Sequence, residues 1–250
     1  MTILVGIKCR DGIVIGSDSS STFTAGNFNT IEQHTKKIEI LNNKKVIVAG
    51  TGQVGMGQRF CDQINQGFAS GAFKNLNGIQ IGTKMCELAK IDFTKTQALH
   101  GQYGALVAYN SKNDLHLCEF AISDFQPEQK TNNMWYASMG SGQIIADPFL
   151  GLMRQVYWQD GMPSLRDGIF ITAWAIQHAI DVNSGGIGGD IQMSTLILDK
   201  GEPVARLLDK DELAEHRENV SGAMQYLRGY LNKSTSEDIL TPPIPSPPTQ

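Results

Sequence analysis

The sequence lacks the features that mark several classes of protein. None of its apolar runs approaches the roughly 20 residues of a membrane-spanning helix, and Lys8, Arg10 and Asp11 come too early for the apolar region of a signal peptide. The 21 Lys and Arg residues are outnumbered by 25 Asp and Glu residues, for a net charge of −4. No general attraction to nucleic acid or anionic lipid follows from that charge, so we expect a cytoplasmic protein with neither partner.

Paired metal-binding motifs are also missing. The four cysteines, Cys9, Cys61, Cys86 and Cys118, form no CxxC pair, and the five histidines stand singly without an HExxH motif. Zinc sites and dithiol redox motifs use such close spacings. We therefore expect free, mostly buried thiols, no metal site and no cofactor.

What the sequence does contain is enough apolar material for one sizeable core. At 250 residues and 41% hydrophobic, the chain is long enough for one large domain and too short for two substantial ones. Five of the last ten residues are proline, which is typical of a disordered or polyproline extension. The prediction is a single domain over residues 1–232 and a Pro-rich, disordered tail over 233–250.

Hydrophobic periodicity predicts groups of strands that alternate with pairs of helices. Short β-branched runs and turn dipeptides predict strands at 3–9, 12–18, 37–41, 45–49, 105–109, 115–120, 135–138, 192–198 and 203–207. Apolar residues at helical spacing predict helices at 53–68, 79–96, 144–158, 164–182 and 211–231. This order lacks the βαβα alternation of a parallel sheet. It favours an α+β fold in which two antiparallel sheets pack between helix layers.

The second residue is threonine, directly before the first predicted strand. Its side chain is small enough for Met1 to be removed, which would leave a hydroxyl and a free α-amine on one residue. Such an amine, with an ordinary pKa of about 7.7–8.0, can serve as the base for its own hydroxyl. Many chains begin Met-Thr, so this feature needs support from the rest of the sequence.

Two charged residues provide that support. Asp18 closes the second predicted strand and Lys37 opens the third, so pairing of these strands would bring both close to Thr2. A buried ammonium held by a carboxylate would lower the pKa of the hydroxyl and favour the neutral amine. The alternative is a solvated Lys36-Lys37 surface pair and an ordinary turn aspartate.

Three glycine-marked segments complete the pattern. The run VIVAG ends a strand at Gly50, whose backbone N–H could donate to an oxyanion. The GSG triplet places Ser141 in a strand-to-helix turn, and DVNSGG places Asp181 and Ser184 three residues apart at a helix end. Taken singly, each segment is common punctuation of strands and helices.

In this order and at these intervals, the segments resemble the proteasome β-subunit family of N-terminal-nucleophile hydrolases. The resemblance covers residues 2–200: a threonine start, VGIKCRDGIVIGSD, TKKIEIL, VIVAG, GSG and DxxSGG. It implies a four-layer αββα sandwich. It also implies catalytic roles, which are the nucleophile Thr2, its charge pair Asp18 and Lys37, the oxyanion donor Gly50, and the amine-orienting residues Ser141, Asp181 and Ser184.

The same resemblance implies where a substrate binds and how copies of the chain assemble. Thr22 matches the position whose backbone pairs with an extended substrate, and Val48 matches a wall of the pocket before the scissile bond. A threonine endopeptidase enclosed in a ring complex is implied, as a heptameric double ring acting on peptides or unfolded proteins, with or without an unfoldase partner. The alternatives are a scaffold or binding subunit with little turnover and an amidase that acts on small amides.

The start and the length of the sequence bear on the subclass. No propeptide precedes Thr2, as in HslV peptidases and the bacterial β-type proteasome homologues, and the chain is longer than HslV. We therefore favour the bacterial homologues. HslV-like chains and unusual 20S subunits are the alternatives.

Overall fold

The fold is described from a computed structural model, which describes residues 1–25, 28–98, 101–159, 161–183 and 185–233. The strands are β1 (Leu4–Lys8), β2 (Ile13–Ser17), β3 (Ser20–Ala25), β4 (Phe28–His34), β5 (Ile38–Leu41), β6 (Val46–Gly52), β7 (Tyr103–Ser111), β8 (Asp114–Phe120), β9 (Pro127–Gln129), β10 (Tyr136–Met139), β11 (Gln192–Asp199) and β12 (Glu202–Leu207). The helices are α1 (Val54–Ala69), α2 (Gly78–Lys95), α3 (Gln143–Tyr157), α4 (Leu165–Val182) and α5 (Lys210–Lys233).

These strands form two five-stranded antiparallel sheets and one separate hairpin. The first sheet has the order β10-β1-β2-β11-β12, and the second has the order β5-β6-β7-β8-β9. Strands β3 and β4 pair only with each other, through Ser20↔His34 to Ala25↔Phe28 with an irregularity after Phe23. The hairpin therefore carries its residues away from both sheets.

The core is arranged in layers because strand side chains alternate between the two faces of a sheet. In β1, Leu4 points into a cluster between the sheets that also holds Ile47 and Leu106. Val5 points the other way, into a cluster shared with helices α3, α4 and α5, while α1 and α2 cover the far face of the second sheet. The resulting order is helices, sheet, sheet, helices, so the predicted four-layer α+β sandwich is confirmed.

Every strand and helix predicted from the sequence forms, with ends that lie within three residues of the predicted ones. The prediction missed β3, β4 and β9. Strand β3 is the polar run SSTFTA, which gives no apolar alternation because the hairpin joins neither sheet. Strand β9 is three residues long and begins at a proline on a sheet edge, where proline costs no ladder hydrogen bond.

One predicted pairing is wrong. Strands β2 and β5, which end at Ser17 and begin at Ile38, do not lie side by side in one sheet. Strand β2 pairs with β1 and β11, whereas β5 is the edge of the facing sheet. Residues at the two strand ends can still meet, because the sheets are stacked face to face.

Two further observations concern the chain as a whole. Within the described residues, no helix combines the length and apolar character needed to cross a membrane. The four thiols are free, and three of them, Cys9, Cys86 and Cys118, are buried. The predicted tail over 233–250 lies outside the described residues, apart from Lys233.

Candidate active site

Thr2 is held in place by the strand that follows it. Strand β1 is paired on both sides, since Leu4 lies opposite Met139 of β10 and Ser17 of β2. The backbone nitrogen of Thr2 donates to Ser141 Oγ at 3.1 Å, and its carbonyl accepts from Gly142 N–H at 3.1 Å. Thr2 is also buried. Its main chain is therefore held in one position by hydrogen bonds and packing.

The GSG turn between β10 and α3 can reach Thr2 only because it is built from glycine. Gly140 has φ +88°, and a Cβ there would lie 2.3 Å from the carbonyl oxygen of Thr2. A side chain at Gly142 would meet Ile3 Cβ at 2.8 Å. The close approach brings Ser141 Oγ to the nitrogen of Thr2, as the sequence predicts.

Asp18 and Lys37 form a buried ion pair beside Thr2. Lys37 Nζ donates to Asp18 Oδ1 at 2.7 Å, and the side chains are 6% and 0% exposed. The same oxygen accepts the N–H of Ile3 at 3.0 Å, and Oδ2 accepts the N–H of Gly188 at 3.2 Å. The carboxylate of Asp18 thus connects Lys37, Ile3 and the loop that follows α4.

Lys37 is fixed through its backbone as well. Its N–H donates to Gln192 Oε1 at 3.1 Å, and its carbonyl accepts from Gly50 N–H at 3.3 Å. Burial lowers the pKa of Lys37, and the charge of Asp18 opposes this shift. Any charge that develops near this ammonium would feel it strongly, since little water screens it.

Met1 lies against both Thr2 and Lys37. Thr2 Oγ donates to the carbonyl of Met1 at 2.7 Å, and Lys37 Nζ lies 3.4 Å from the same oxygen. With Met1 in place, the nitrogen of Thr2 belongs to a peptide bond. It marks the position that an α-amine would occupy once Met1 is removed. Burial and then the charge of Lys37 lower the pKa of the α-amine at Met1.

Asp181 lies apart from this group. It is exposed near the end of α4, and its Oδ1 accepts from Gln177 Nε2 at 2.7 Å. Its hydrogen bonds among the described residues do not include Thr2 or Ser141. Ser184, its predicted partner, lies outside the described residues.

Asn183, which the sequence analysis missed, organises the loop after α4. Its Nδ2 donates to the carbonyl of Ile180 at 2.7 Å, and its Oδ1 accepts from Gly185 N–H at 2.7 Å. The loop then passes Met1 at Gly186 and reaches Asp18 at Gly188. An asparagine between a helix end and a Gly-Gly pair is the signal that could have indicated this role.

Two cavities open at Thr2. One, of about 690 Å³, runs between the β3–β4 hairpin and the start of α1, with Thr22, Gly52 and Ser141 among its lining residues. The hydroxyl of Thr22 is buried without a hydrogen-bond partner among the described residues. This cavity has the position expected for an extended chain that passes the threonine.

The second cavity, of about 470 Å³, lies beside Thr2 and is lined by Val48, Cys61 and Tyr103. The ring of Tyr103 packs where glycines leave room, since a Cβ at Gly50 would lie 2.6 Å from its hydroxyl and one at Gly57 would lie 2.9 Å from its Cε2. Val48 was expected here from the family resemblance. Tyr103 was not expected, because it comes from β7, a strand that carries none of the motifs.

The order of the motifs and this arrangement agree with a comparison of the sequence with known families. The profile described as proteasome subunit matches residues 2–194. The chain belongs to the proteasome subunit family. No curated protein sequence matches it.

Solved structures share the fold of this chain. The Anbu (Gly-1) mutant from Hyphomicrobium sp. strain MC1 is similar with a TM-score of 0.71 at 12% identity, over 96% of this chain and 100% of the other. Anbu from Yersinia bercovieri, described as an ancestral beta-subunit, has a TM-score of 0.69 at 12% identity, over the same shares of the two chains. At this identity the likeness establishes the fold alone.

In this proteasome-family subunit, the residues brought together are Thr2, Asp18, Lys37, Gly50 and Ser141. Thr22 and Val48 line the two adjoining cavities. Among the described residues, no three His, Cys, Asp or Glu side chains converge as a metal site would require. The functional groups that meet at the site are a hydroxyl, a buried ammonium and backbone N–H groups.

Proposed function

We propose that this subunit is a threonine endopeptidase whose nucleophile is the hydroxyl of Thr2, exposed with a free α-amine once Met1 is removed. The observation that carries the proposal is the position of Lys37, which is buried, held by Asp18 and hydrogen-bonded to the carbonyl that Thr2 Oγ also contacts. An ammonium in this position stabilises a developing alkoxide.

In the proposed reaction, the α-amine of Thr2 takes the proton from Thr2 Oγ, and Oγ attacks the carbonyl carbon of the scissile bond. The electron pair moves to the carbonyl oxygen. Collapse of this intermediate expels the amine product, which takes the proton from the α-ammonium, and an ester remains on Thr2. Water that gives its proton to the same amine then hydrolyses the ester and regenerates the threonine.

Gly50 is the proposed donor to the oxyanion. Its N–H is used by the carbonyl of Lys37 at 3.3 Å, which is longer than the common distance of about 2.9–3.0 Å. A charged oxygen is a stronger acceptor than a neutral carbonyl, so it can compete for this N–H. Ser141, Asp181 and Ser184 are proposed to orient the amine.

We propose an apolar, medium-sized preference for the side chain before the scissile bond. Val48 and Tyr103 supply apolar walls to the cavity, and Lys36 and Glu39 at its lining are paired with each other at 2.7 Å. A charged substrate side chain would lose hydration without gaining a free partner here. A neighbouring subunit that supplies a charge would change this preference.

For assembly, we propose rings of seven in a stacked double ring in the cytoplasm, with peptides or unfolded proteins as substrates. Family membership supports association between copies, and an unfoldase is a possible further partner. The competing proposal is a scaffold subunit with little turnover, which the exposed position of Asp181 favours.

The experiment is a comparison of wild-type, Thr2→Ala and Thr2→Ser proteins. Intact mass should show the loss of Met1, fluorogenic peptides should be cleaved by the wild type, and a threonine-directed covalent inhibitor should add its mass to the N-terminal peptide. Thr2→Ala should lose turnover to background with unchanged assembly, while Thr2→Ser should keep some. Full turnover by Thr2→Ala, or by protein that retains Met1, would refute the mechanism. A wild type that is folded and without Met1 but inert to peptide and inhibitor would favour the scaffold.

A further inference from the structure

A groove away from Thr2 runs between the hairpin end and the first two turns of α5. We call it the α5 groove, and we define it by His34, Lys36, Ile191, Lys210, Leu213 and Arg217. Its volume is about 500 Å³. Lys210, Leu213 and Arg217 share one face of the helix, since residues three, four and seven apart lie above one another.

The groove is basic at its rim and apolar along its floor. The acidic residue in its lining is Asp190, against Lys36, Lys210 and Arg217. Lys36 is paired with Glu39, whereas Lys210 and Arg217 make no ion pair with any described residue. Two unpaired cations beside Leu213 and Ile191 suit a short segment that carries both carboxylates and aliphatic side chains.

Such a segment exists in the sequence directly after α5. Residues 237–240 read Glu-Asp-Ile-Leu, so two acidic residues are followed by two aliphatic ones. The charges match those of Lys210 and Arg217, and the aliphatic pair matches the floor. The segment therefore complements the groove in charge and matches its floor in hydrophobic character.

The length of the chain decides which copy supplies the segment. Helix α5 runs from Lys210 to Lys233, and at about 1.5 Å per residue the 23-residue distance between its ends is roughly 35 Å. Even fully extended, four or five residues reach only about 14–18 Å. The two side chains do not bridge the remaining distance, so Glu237 and Asp238 cannot reach Lys210 of their own chain. A second copy must provide them.

We propose that residues 237–240 of one copy dock in the α5 groove of another copy, with Glu237 and Asp238 pairing with Lys210 and Arg217. This contact would link copies of the chain independently of peptide hydrolysis. Because the ion pairs are exposed, the contact should be weak by itself and sensitive to salt.

The test is disulfide formation between two full-length copies of different mass. One copy carries Ala214→Cys in the groove and the other carries Ile239→Cys, and a matched control replaces the first by Tyr226→Cys, which is 76% exposed on α5 outside the groove. Under mild oxidation at low salt we expect a bond between the copies for Ala214→Cys, with at least about fivefold less for Tyr226→Cys.

Charge reversal sharpens the test. Lys210→Glu with Arg217→Glu should reduce the bond between copies about fivefold, and adding Glu237→Lys with Asp238→Lys to the partner should restore it. Arg228→Glu, which alters an exposed residue of α5 outside the groove, should have no effect. Equal bonding from Tyr226→Cys would overturn the proposal. So would a loss caused by the groove variants that the swapped charges on the partner do not restore, since it would point to another occupant.

Discussion

The two sides of the candidate active site are built differently. On the side of β1, the backbone of Thr2, the carboxylate of Asp18 and the ammonium of Lys37 are tied by hydrogen bonds of 3.1 Å or less to residues far apart in the sequence. On the side of α4, Asp181 is exposed, and its hydrogen-bond partner among the described residues is Gln177 of its own helix. The first side is held by paired strands, and the second depends on a loop.

Positional accuracy in this fold comes from strand pairing. A strand paired on both sides has no freedom to slide, so a residue at its end is placed by every pair in the ladder. The loop after α4 is instead held by the side chains of Asn183 and Asp18 and lies against Met1 at Gly186. Met1 touches both sides, since its carbonyl accepts from Thr2 and Lys37.

Lys37→Ala tests most severely whether the strand-held side is needed. We expect turnover of short fluorogenic peptides to fall nearly to the level of Thr2→Ala. We also expect a loss of about 3–5 kcal/mol in the free energy of unfolding, because Asp18 would remain as a buried, unpaired carboxylate. Denaturant unfolding measures the second quantity.

Lys36→Ala is the matched control. Its side chain is 54% exposed and its ion pair with Glu39 lies at the surface, so removal should cost no more than about 1 kcal/mol. Equal losses of stability from the two variants would mean that Lys37 is not buried in the folded protein.

The second prediction concerns the loop-held side. Asp181→Asn should change the free energy of unfolding by no more than about 0.5 kcal/mol, because the side chain is exposed. If Asp181 orients the amine, peptide turnover should fall on the order of tenfold. Asp190→Asn, which alters another exposed carboxylate of the same loop region, is the control. Unchanged turnover by Asp181→Asn would confine the catalytic set to the strand-held side.

A smaller effect should separate two glycines on α1. Gly57→Ala places a Cβ 2.9 Å from the ring of Tyr103, whereas at Gly55 the nearest atom is Arg59 Nη1 at 3.8 Å. Both Gly57→Ala and Gly55→Ala replace a helix-weakening glycine. Any gain in helix stability is therefore common to the two variants and cancels when they are compared. We expect Gly57→Ala alone to shift cleavage of a positional peptide library towards smaller side chains before the scissile bond, by about tenfold or less. Equal shifts from both variants would show that Tyr103 does not shape the pocket.

The smallest expected effect is a displacement of the pH profile. Burial, and then the charge of Lys37, lower the pKa of the chain's α-amine at Met1, and the amine freed on Thr2 would lie beside the same ammonium. In the proposed mechanism the neutral amine is the base, so kcat/KM should rise with pH and reach half its maximum below the ordinary pKa of about 7.7–8.0. A midpoint above that range in a peptide assay from pH 5 to 9 would contradict the expected environment.

The sequence predicted the contacts of the strand-held side better than the sheet that produces them. Asp18 and Lys37 meet as expected, yet their strands belong to facing sheets, because periodicity identifies strands without specifying which ones pair. The hairpin of β3 and β4 was missed because its polar residues follow no apolar alternation. Tyr103 was missed because its contacts come from the packing of β7 on α1, which single-chain patterns do not encode.

The hydrogen bond from Thr2 Oγ to the carbonyl of Met1 has a practical consequence for protein production. Extra residues fused before Thr2 would leave β1 and its register intact, so the recombinant protein would pass every check of folding and assembly. The fusion would nevertheless turn the α-amine into an amide, which cannot accept a proton. Under the proposed mechanism, an affinity tag at this end would therefore yield an inert sample that looks correct, and a purification handle belongs elsewhere or ahead of a cleavage site that leaves Thr2 first.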